Sequence, residues 1–394
     1  MKVVGLITEY NPFHNGHLYH IQKALELTGA DRVVVVMSGN YVQRGTPALM
    51  PKELRTKAAL CNGASLVLEL PLAYATGTAE QFAFGAVSIL HKLGCIDTLC
   101  FGSECGNIEI LQEIASILHS ETDEYKTLLQ QFLREGASFP VARSKALDTL
   151  YPGKNYKSIL DHPNNILGIE YLKSLLRLKS TINPCTIKRS ASEYHDTKLN
   201  ASFSSATAIR QALISGDVAV LKGHVPDNVY SLFETTYLKR YPIESNDFSL
   251  LLKHRLMLET KHSICDYADV SEELANRIYN NLNQYISFDQ FCEILKTKEI
   301  TYSRISRALL HIMLGVKPTS THIKQVRILG FRTKHTDLFS AIKEWGSIDL
   351  ISKLSDAVPM PDIDIQAANL YESVITDKFN TNFINEYEHP IIRI

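Results

Sequence analysis

The first hundred residues alternate short apolar runs with longer segments in which apolar and polar positions mix. Four runs are mainly apolar, at 3–8, 32–37, 66–70 and 98–101, and the first of them is partly β-branched. Three segments between them repeat apolar side chains every three or four positions, at 17–28, 52–61 and 78–93. Such periodicity predicts helices, and strands without polar alternation are buried on both faces of a parallel sheet. The pattern therefore predicts an open α/β fold with a doubly wound parallel sheet.

Helical periodicity dominates the rest of the chain. Helices are predicted within 107–150 and at 165–178, 207–214, 249–259, 272–284, 288–295 and 302–313. One further short strand is predicted at 186–189, and strand signals fade after Gly216. A chain of 394 residues exceeds the usual size of one domain. We therefore predict an α/β catalytic domain at residues 1–216 and a mainly helical domain at residues 217–394.

The composition is that of an ordinary globular protein, with 45% hydrophobic residues, 21% charged residues and a formal net charge of -1. This excludes a disordered or strongly basic chain. Seven cysteines without a C-x-x-C pair favour free thiols in a reducing compartment. Cys95, Cys100 and Cys105 are evenly spaced, but they lack the partner pair that a zinc site would use. Because neither a leader-like N-terminus nor about 18 consecutive apolar residues occur, we expect a cytoplasmic location.

The candidate chemistry begins at His14-Asn15-Gly16-His17, between the first strand and the first helix. Open α/β sheets bind ligands at the carboxyl ends of their strands, and the first N–H groups of a helix attract anions. Gly16 lets a phosphate approach the backbone, and the imidazoles can donate hydrogen bonds as charge grows on phosphorus. A metal site on the same histidines is the alternative, which the positive end of the helix opposes. The turn predicts phosphate handling, with His14 and His17 as the catalytic pair and no protein-held metal.

This turn resembles the H-x-G-H motif of the nucleotidyltransferase superfamily, which follows the first strand of a Rossmann-like sheet. Members of that superfamily join ATP to a substrate at the α-phosphate and release pyrophosphate. Residues 203–210 are similar to their I-S-S-T-x-I-R stretch, with Ala206 between the serine pair and the threonine. Hydroxyl groups at a helix start and a nearby arginine suit phosphate oxygens, although an ordinary helix cap uses the same residues. The candidate phosphate contacts are Ser204, Ser205, Thr207 and Arg210.

Longer runs resemble the bacterial tRNA(Met) cytidine acetate ligases and cover most of the chain. They are GLITEYNPFHNGH at 5–17, MSGNYVQRG at 37–45, LELP at 68–71, FGSE at 101–104 and PNNILG at 163–168. That family activates acetate with ATP to acetyl-adenylate and passes the acetyl group to N4 of the wobble cytidine of elongator tRNA(Met). The ATP contacts that the resemblance implies are Ile7, Thr8, Glu9, Tyr10, Asn11, Pro12, Phe13, His14, Asn15, Gly16, His17, Leu18, Tyr19, His20, Gly102, Asn165 and Arg189. Asn164 is an alternative to Asn165.

A basic segment at residues 300–336 contains no aspartate or glutamate, although the whole chain is nearly neutral. Clustered positive charge suits an RNA backbone, because neutralised phosphates rather than net charge set that affinity. A helix face that is basic without a partner is the alternative. The candidate tRNA contacts are Arg304, Arg307, Lys324, Arg327 and Arg332.

The leading hypothesis is an ATP-dependent acetate ligase that modifies tRNA. Its substrates would be ATP, acetate and elongator tRNA(Met), with Mg²⁺ carried by the triphosphate. Two alternatives stay open. A small-metabolite adenylyltransferase would make a dinucleotide or coenzyme precursor and would give the basic segment no purpose. A noncatalytic RNA-binding protein that keeps an ATP fold would bind tRNA without turning over ATP.

Overall fold

The computed structural model describes residues 1–189, 206–318 and 323–394. Its strands are β1 (Val3–Thr8), β2 (Arg32–Ser38), β3 (Tyr41–Val42), β4 (Thr46–Pro47), β5 (Leu66–Leu70), β6 (Thr98–Ser103), β7 (Asn183–Lys188), β8 (Gln325–Phe331), β9 (Asp349–Ile351) and β10 (Ile392–Arg393). Its helices are α1 (Asn15–Thr28), α2 (Lys52–Cys61), α3 (Leu72–Ala75), α4 (Ala79–Lys92), α5 (Ile108–Ser120), α6 (Asp123–Arg134), α7 (Phe139–Leu150), α8 (Tyr156–Leu160), α9 (Pro163–Arg177), α10 (Ala206–Ile214), α11 (Asp227–Thr236), α12 (Ser249–Leu258), α13 (Glu272–Asn281), α14 (Phe288–Leu295), α15 (Tyr302–Leu314), α16 (Asp337–Trp345) and α17 (Asp362–Phe379).

Strand β1 lies inside the main sheet, whose order is β10-β8-β5-β2-β1-β6-β7. It pairs in parallel with β2 on one side and with β6 on the other, so the chain order reverses between β1 and β6. Strands β5 and β7 continue the parallel pairing outwards. In such a sheet, the crevice at the carboxyl ends of the strands that flank the reversal is the ligand site. Here that crevice lies after Thr8 and Ser103.

Both faces of this sheet are buried, and alternate residues of one strand enter different cores. Val34 and Val36 pack with α4, α5 and α9 on one face, whereas Val33 and Val35 pack with α1, α2 and α10 on the other. Because successive side chains of a strand point to opposite faces, burial on both faces requires apolar runs without polar alternation. The predicted Rossmann-like, doubly wound α/β fold is confirmed.

The second half of the chain is mainly helical, as predicted, and most of its helices share one core, to which Tyr41 and Leu72 of the first half also contribute. Phe248, Leu274, Phe291, Leu309 and Ile375 are buried where α12, α13, α14, α15 and α17 meet. Helices α2 and α14 have the predicted bounds at both ends, and the predicted helical region 107–150 is divided into α5, α6 and α7. None of the helices within the described ranges is both long and apolar enough to cross a membrane.

The chain returns to the sheet near its C-terminal end, which the sequence pattern did not predict. Strand β8 pairs antiparallel with β5, and β9 and β10 pair in parallel with β8. Arg327 and Gly330 interrupt the apolar run of β8, so the run lacks the appearance of a buried strand. The domain boundary between residues 216 and 217 stays a prediction. Residues 325–331, however, form a strand of the same sheet as the strands of residues 1–216.

Candidate active site

His14 and His17 cap the start of α1 reciprocally. His14 Nδ1 accepts a hydrogen bond from the Gly16 backbone N–H (3.0 Å), and His17 Nδ1 accepts one from the His14 backbone N–H (3.3 Å). An imidazole nitrogen that accepts from a backbone N–H carries no proton, so in each neutral ring the proton lies on Nε2. The cap therefore sets the tautomer of both rings and leaves two Nε2–H donors for a ligand.

Close packing fixes the orientation of the two rings. They are stacked with centroids 3.8 Å apart, and a Cβ at Gly16 would come within 2.8 Å of His14 Cε1. Tyr10 and Phe13 pack against His17 with ring centroids at 4.9 and 5.7 Å. Glycine at position 16 is therefore required for the cap itself, in addition to any approach of a phosphate.

Enclosure keeps the histidines of this turn neutral. Burial, and then the guanidinium groups of Arg189 and Arg210, lowers the pKa of His14 to about 3. Burial, His14 and Arg189 hold the pKa of His17 well below its usual value, because aromatic rings surround a side chain that is only partly exposed. Burial and Arg189 lower the pKa of His20 to about 4. At neutral pH the imidazoles donate as neutral groups, and the two arginines supply the positive charge.

Gly102 and Arg189 lie side by side at the carboxyl ends of β6 and β7. Gly102 pairs with Ile187, and the Arg189 backbone N–H donates to the Ser103 carbonyl (2.9 Å). A Cβ on Gly102 would lie 3.3 Å from Arg189 Cγ, so the glycine makes room for the arginine stem. Since Arg189 also lowers the pKa of the turn histidines, the structure brings both predicted residues to the crevice beside the turn.

The described part of the second motif also meets the histidine turn. Arg210 donates to the Asn11 carbonyl (2.9 Å) and to Thr207 Oγ1 (3.0 Å). Thr207 and Arg210 therefore lie near the start of α10, next to the histidine turn. The other two predicted phosphate contacts lie outside the described residues: Ser204 and Ser205.

The remaining residues of the predicted ATP segment surround the turn in different ways. Ile7, Pro12 and Phe13 are buried, Leu18 is partly exposed and Tyr19 is exposed. Their assignment as ATP contacts stays a prediction.

Backbone and polar features at the turn are those of a ligand site. Tyr10 has a φ of 48°, in the left-handed region that residues other than glycine seldom adopt. Asn15 ties the helix start to the segment after α10, since its side-chain amide donates to the Gly223 carbonyl (2.8 Å). His20 Nε2 and Ser38 Oγ are buried and lack a hydrogen-bond partner among the residues that the structure describes. Such features cluster where a ligand completes the structure.

Asn165 lies in the first turn of α9, packed against the loop that follows β6, and its side chain already has partners. Its Oδ1 accepts from the Cys105 N–H (3.1 Å), and its Nδ2 donates to the Ile159 carbonyl (3.0 Å). Its backbone N–H and the side chain of Asn164 both donate to Glu104 at the start of α9. The amide of Asn165 therefore holds this loop in place, and the choice between the two asparagines as nucleotide contact stays a prediction.

Arg55 on α2 is a site residue that the sequence analysis missed. The side chain is completely buried and donates to four carbonyl oxygens. Its Nε binds Met50 (3.0 Å), and its terminal nitrogens bind Glu9 (2.7 Å), Ser38 (3.0 Å) and Gly39. One guanidinium therefore joins the loops that follow β1 and β2. The available signal was an arginine on the same helical face as Ala59, a core position four residues later.

Two predicted tRNA contacts, Arg307 and Arg327, form ion pairs within the chain, and their role as tRNA contacts stays a prediction. Arg307 Nε lies 2.8 Å from Asp269, and Arg327 pairs with Glu386 and lies 3.7 Å from Glu69. Their side chains are only 11% and 16% exposed. The acidic partners come from distant parts of the chain, so the lack of acidic residues within 300–336 did not leave these arginines unpaired.

The other candidates in the basic segment are more accessible. Lys324 is exposed and Arg304 is partly exposed. Arg332 is partly exposed, and its Nε donates to the Leu60 carbonyl (2.8 Å). Since Arg304 lies on α15 and Lys324 precedes β8, the segment spans two elements rather than one helix face.

One group of side chains in the described ranges has the spacing of a metal site: Glu53, Glu386 and His389. Glu386, however, already accepts from Lys52 Nζ (2.5 Å) and from Arg327. A metal ion would stand directly against these two cations. The group also lies near Glu69 at the end of β5, two strands away from β1, so we assign it no role in the candidate active site.

Fold and site together define this chain as a nucleotidyltransferase of the histidine-turn type. The family model of the HIGH Nucleotidyl Transferases matches residues 1–386. Within that class, a tRNA(Met) cytidine acetate ligase from Alkaliphilus metalliredigens is 39% identical over 99% of this chain and 97% of its own. Another, from Acetivibrio thermocellus, is 41% identical over 100% of this chain and 97% of its own. The chain belongs to the tRNA(Met) cytidine acetate ligase family.

Two crystal structures are similar to the whole chain. Thermotoga maritima TmcAL in its apo form I has a TM-score of 0.93 at 34% sequence identity. The same protein bound with alpha-thio ATP, in form II, has a TM-score of 0.91 at 33% identity. Each comparison covers 100% of both chains, so the similarity includes the helical half as well as the sheet.

Proposed function

We propose that this chain is an ATP-dependent ligase that activates acetate as acetyl-adenylate and transfers the acetyl group to N4 of the wobble cytidine of elongator tRNA(Met). The observation that carries the proposal is the reciprocal histidine cap, which leaves two neutral Nε2–H donors at the helix start that follows β1, the strand at the reversal point of the sheet. Relatives named for this activity, and a structural neighbour bound with an ATP analogue, support it.

The first half-reaction suits these donors. An acetate oxygen attacks the α-phosphorus, pyrophosphate leaves, and negative charge grows on the non-bridging oxygens. His14 and His17 donate to those oxygens, while Arg189 and Arg210 balance the charge of the triphosphate. Neutral donors suit this task, because they need no protonation step between pH 5 and pH 8. Gly102 and the residues of the turn would form the nucleotide pocket, and Mg²⁺ would be carried by the triphosphate.

The second half-reaction needs positioning more than further activation. Acetyl-adenylate is a mixed anhydride, so the cytidine amine can attack its carbonyl carbon and release AMP without a covalent enzyme intermediate. A closed crevice protects the anhydride from water. The reaction belongs in the cytoplasm, where ATP, acetate and tRNA meet.

Acetate-dependent ATP–pyrophosphate exchange, followed by transfer of labelled acetate to tRNA(Met), tests the proposal. We expect exchange with acetate in the absence of tRNA and stable label in N4-acetylcytidine when tRNA is added. Exchange that requires a nucleotide-containing metabolite instead of acetate would contradict the proposal and favour the small-metabolite adenylyltransferase. Binding of tRNA without any exchange would favour the noncatalytic protein.

For the tRNA surface, we expect exposed lysines of the basic segment to contribute and the internally paired arginines not to. Replacing three exposed lysines together with alanine should reduce the salt dependence of tRNA binding, with a fall of about 2 in the slope of log K against log salt. The positions are Lys317, Lys324 and Lys334. Filter binding over a range of salt concentrations measures the slope. A matched control replaces exposed lysines on other helices, Lys57, Lys126 and Lys145, and an equal effect there would contradict a localised surface.

A further inference from the structure

Glu9 places a carboxylate beside a site whose other charged groups suit polyphosphate. It directly follows β1, next to the histidine turn, and its side chain is partly exposed. Its Oε1 accepts from the Gln43 backbone N–H (2.9 Å) in the segment after β2. Among the described residues, it forms no ion pair. The buried Arg55 guanidinium interacts electrostatically with Glu9, but its hydrogen bonds go to backbone carbonyls, so Glu9 Oε2 stays available to a ligand group that carries a proton.

The surroundings of Glu9 place it between the phosphate turn and the segment after β2. The backbone carbonyl of Glu9 accepts a hydrogen bond from the buried Arg55 side chain, as do the carbonyls of Ser38 and Gly39. The terminal nitrogens of Arg55 therefore donate to backbone oxygens. On the other side lies α9, where burial and then the Glu9 charge raise the pKa of Tyr171 well above its usual value. One carboxylate oxygen is held by Gln43, and Oε2 has no hydrogen-bond partner within the described part of the chain.

We propose that Glu9 is the general base that removes the proton from the acceptor amine during acetyl transfer, an inference that rests on the proposed function. The lone pair of a cytidine exocyclic amine is delocalised into the ring, so the amine is a poor nucleophile unless a proton leaves as it attacks. In this step the N–C bond forms, the bond between the acetyl carbon and the phosphate oxygen breaks, AMP leaves and the amine proton goes to Glu9 Oε2. General bases of this kind contribute about 100- to 10,000-fold in rate.

Glu9→Gln separates the two half-reactions. The amide oxygen can still accept from the Gln43 N–H, so the turn keeps its support while the base is lost. We expect single-turnover acetyl transfer to tRNA(Met) to fall by about 100-fold or more relative to the acetate-dependent ATP–pyrophosphate exchange of the same variant, with an unchanged KM for tRNA. Glu9→Asp, which keeps a shorter base, should recover at least about tenfold of the transfer rate over Glu9→Gln.

Each other result overturns the inference. An equal loss of exchange and transfer in Glu9→Gln would assign the carboxylate to adenylate formation, for example through magnesium. An unchanged rate of acetyl transfer in Glu9→Gln would contradict the role of Glu9 as the general base. Equal transfer rates in Glu9→Gln and Glu9→Asp would contradict it as well. Glu26→Gln, at an exposed carboxylate on α1, is the matched control and should alter neither half-reaction. Failure of the proposed function itself is distinguishable, because the unchanged chain would then show no acetate-dependent exchange.

Discussion

Replacing His17 with alanine is expected to lower acetate-dependent ATP–pyrophosphate exchange by about 100- to 1000-fold, the usual loss when one preorganised donor to a developing oxyanion is removed. His17 contributes its Nε2–H to the phosphate oxygens and its Nδ1 to the cap, where it accepts from the His14 backbone N–H. The loss of the His17 side chain therefore removes one donor to the phosphate oxygens. It also removes the cap contact that helps to hold His14, the second donor, in place. We expect this loss of exchange activity to appear as a lower kcat, with the affinity for acetate unchanged.

Two further measurements separate chemistry from folding in this experiment. His14→Asn keeps an N-cap acceptor but removes the imidazole, so it should lose exchange while α1 stays intact by circular dichroism. His119→Ala, at an exposed histidine on α5, should have no effect. Because the pKa of His14 is near 3, the unchanged chain should show no histidine titration in its exchange rate between pH 5 and pH 8. A histidine-dependent step in that range would contradict the neutral-donor mechanism.

Replacing Arg55 with methionine is expected to lower the free energy of unfolding by about 3 kcal/mol or more, because each buried acceptor left without its donor costs about 1 to 3 kcal/mol. Four carbonyl oxygens, at Glu9, Ser38, Gly39 and Met50, would lose their donor inside the fold. Lysine cannot replace it, because one ammonium cannot reach both strand ends in the planar arrangement of a guanidinium. Urea unfolding monitored by fluorescence and circular dichroism measures the change.

The matched control for this variant is Arg134→Met, at an exposed arginine on α6, which should change the free energy of unfolding by less than about 0.5 kcal/mol. If Arg55→Met is too unstable to purify, Arg55→Lys still reports on the site. It should fold with reduced stability and lose exchange activity in parallel, since the loops after β1 and β2 lose a common anchor. Full stability in either variant would contradict the anchoring role.

Local patterns predicted most of the secondary structure because most elements depend on nearby residues. Strand β5 and helices α2 and α14 have the predicted bounds, and burial on both sheet faces shows directly as uninterrupted apolar runs. Strand β8 was missed, since its place in the sheet comes from antiparallel pairing with β5, more than 250 residues earlier in the chain. No local periodicity carries such a pairing.

By itself, the sequence determined the histidine turn, its place after the first strand and its resemblance to a ligase family, because the motif is contiguous and its chemistry belongs to the residue types. Only the tertiary structure decided which charges are free. The local sequence predicts Arg327 as a tRNA contact, whereas the structure pairs its side chain with Glu69 and Glu386. Nothing in the local sequence distinguishes Arg55, whereas in the structure its guanidinium donates to four backbone carbonyls. Electrostatic and hydrogen-bond partners are chosen by proximity in space, and proximity between distant segments is a property of the fold.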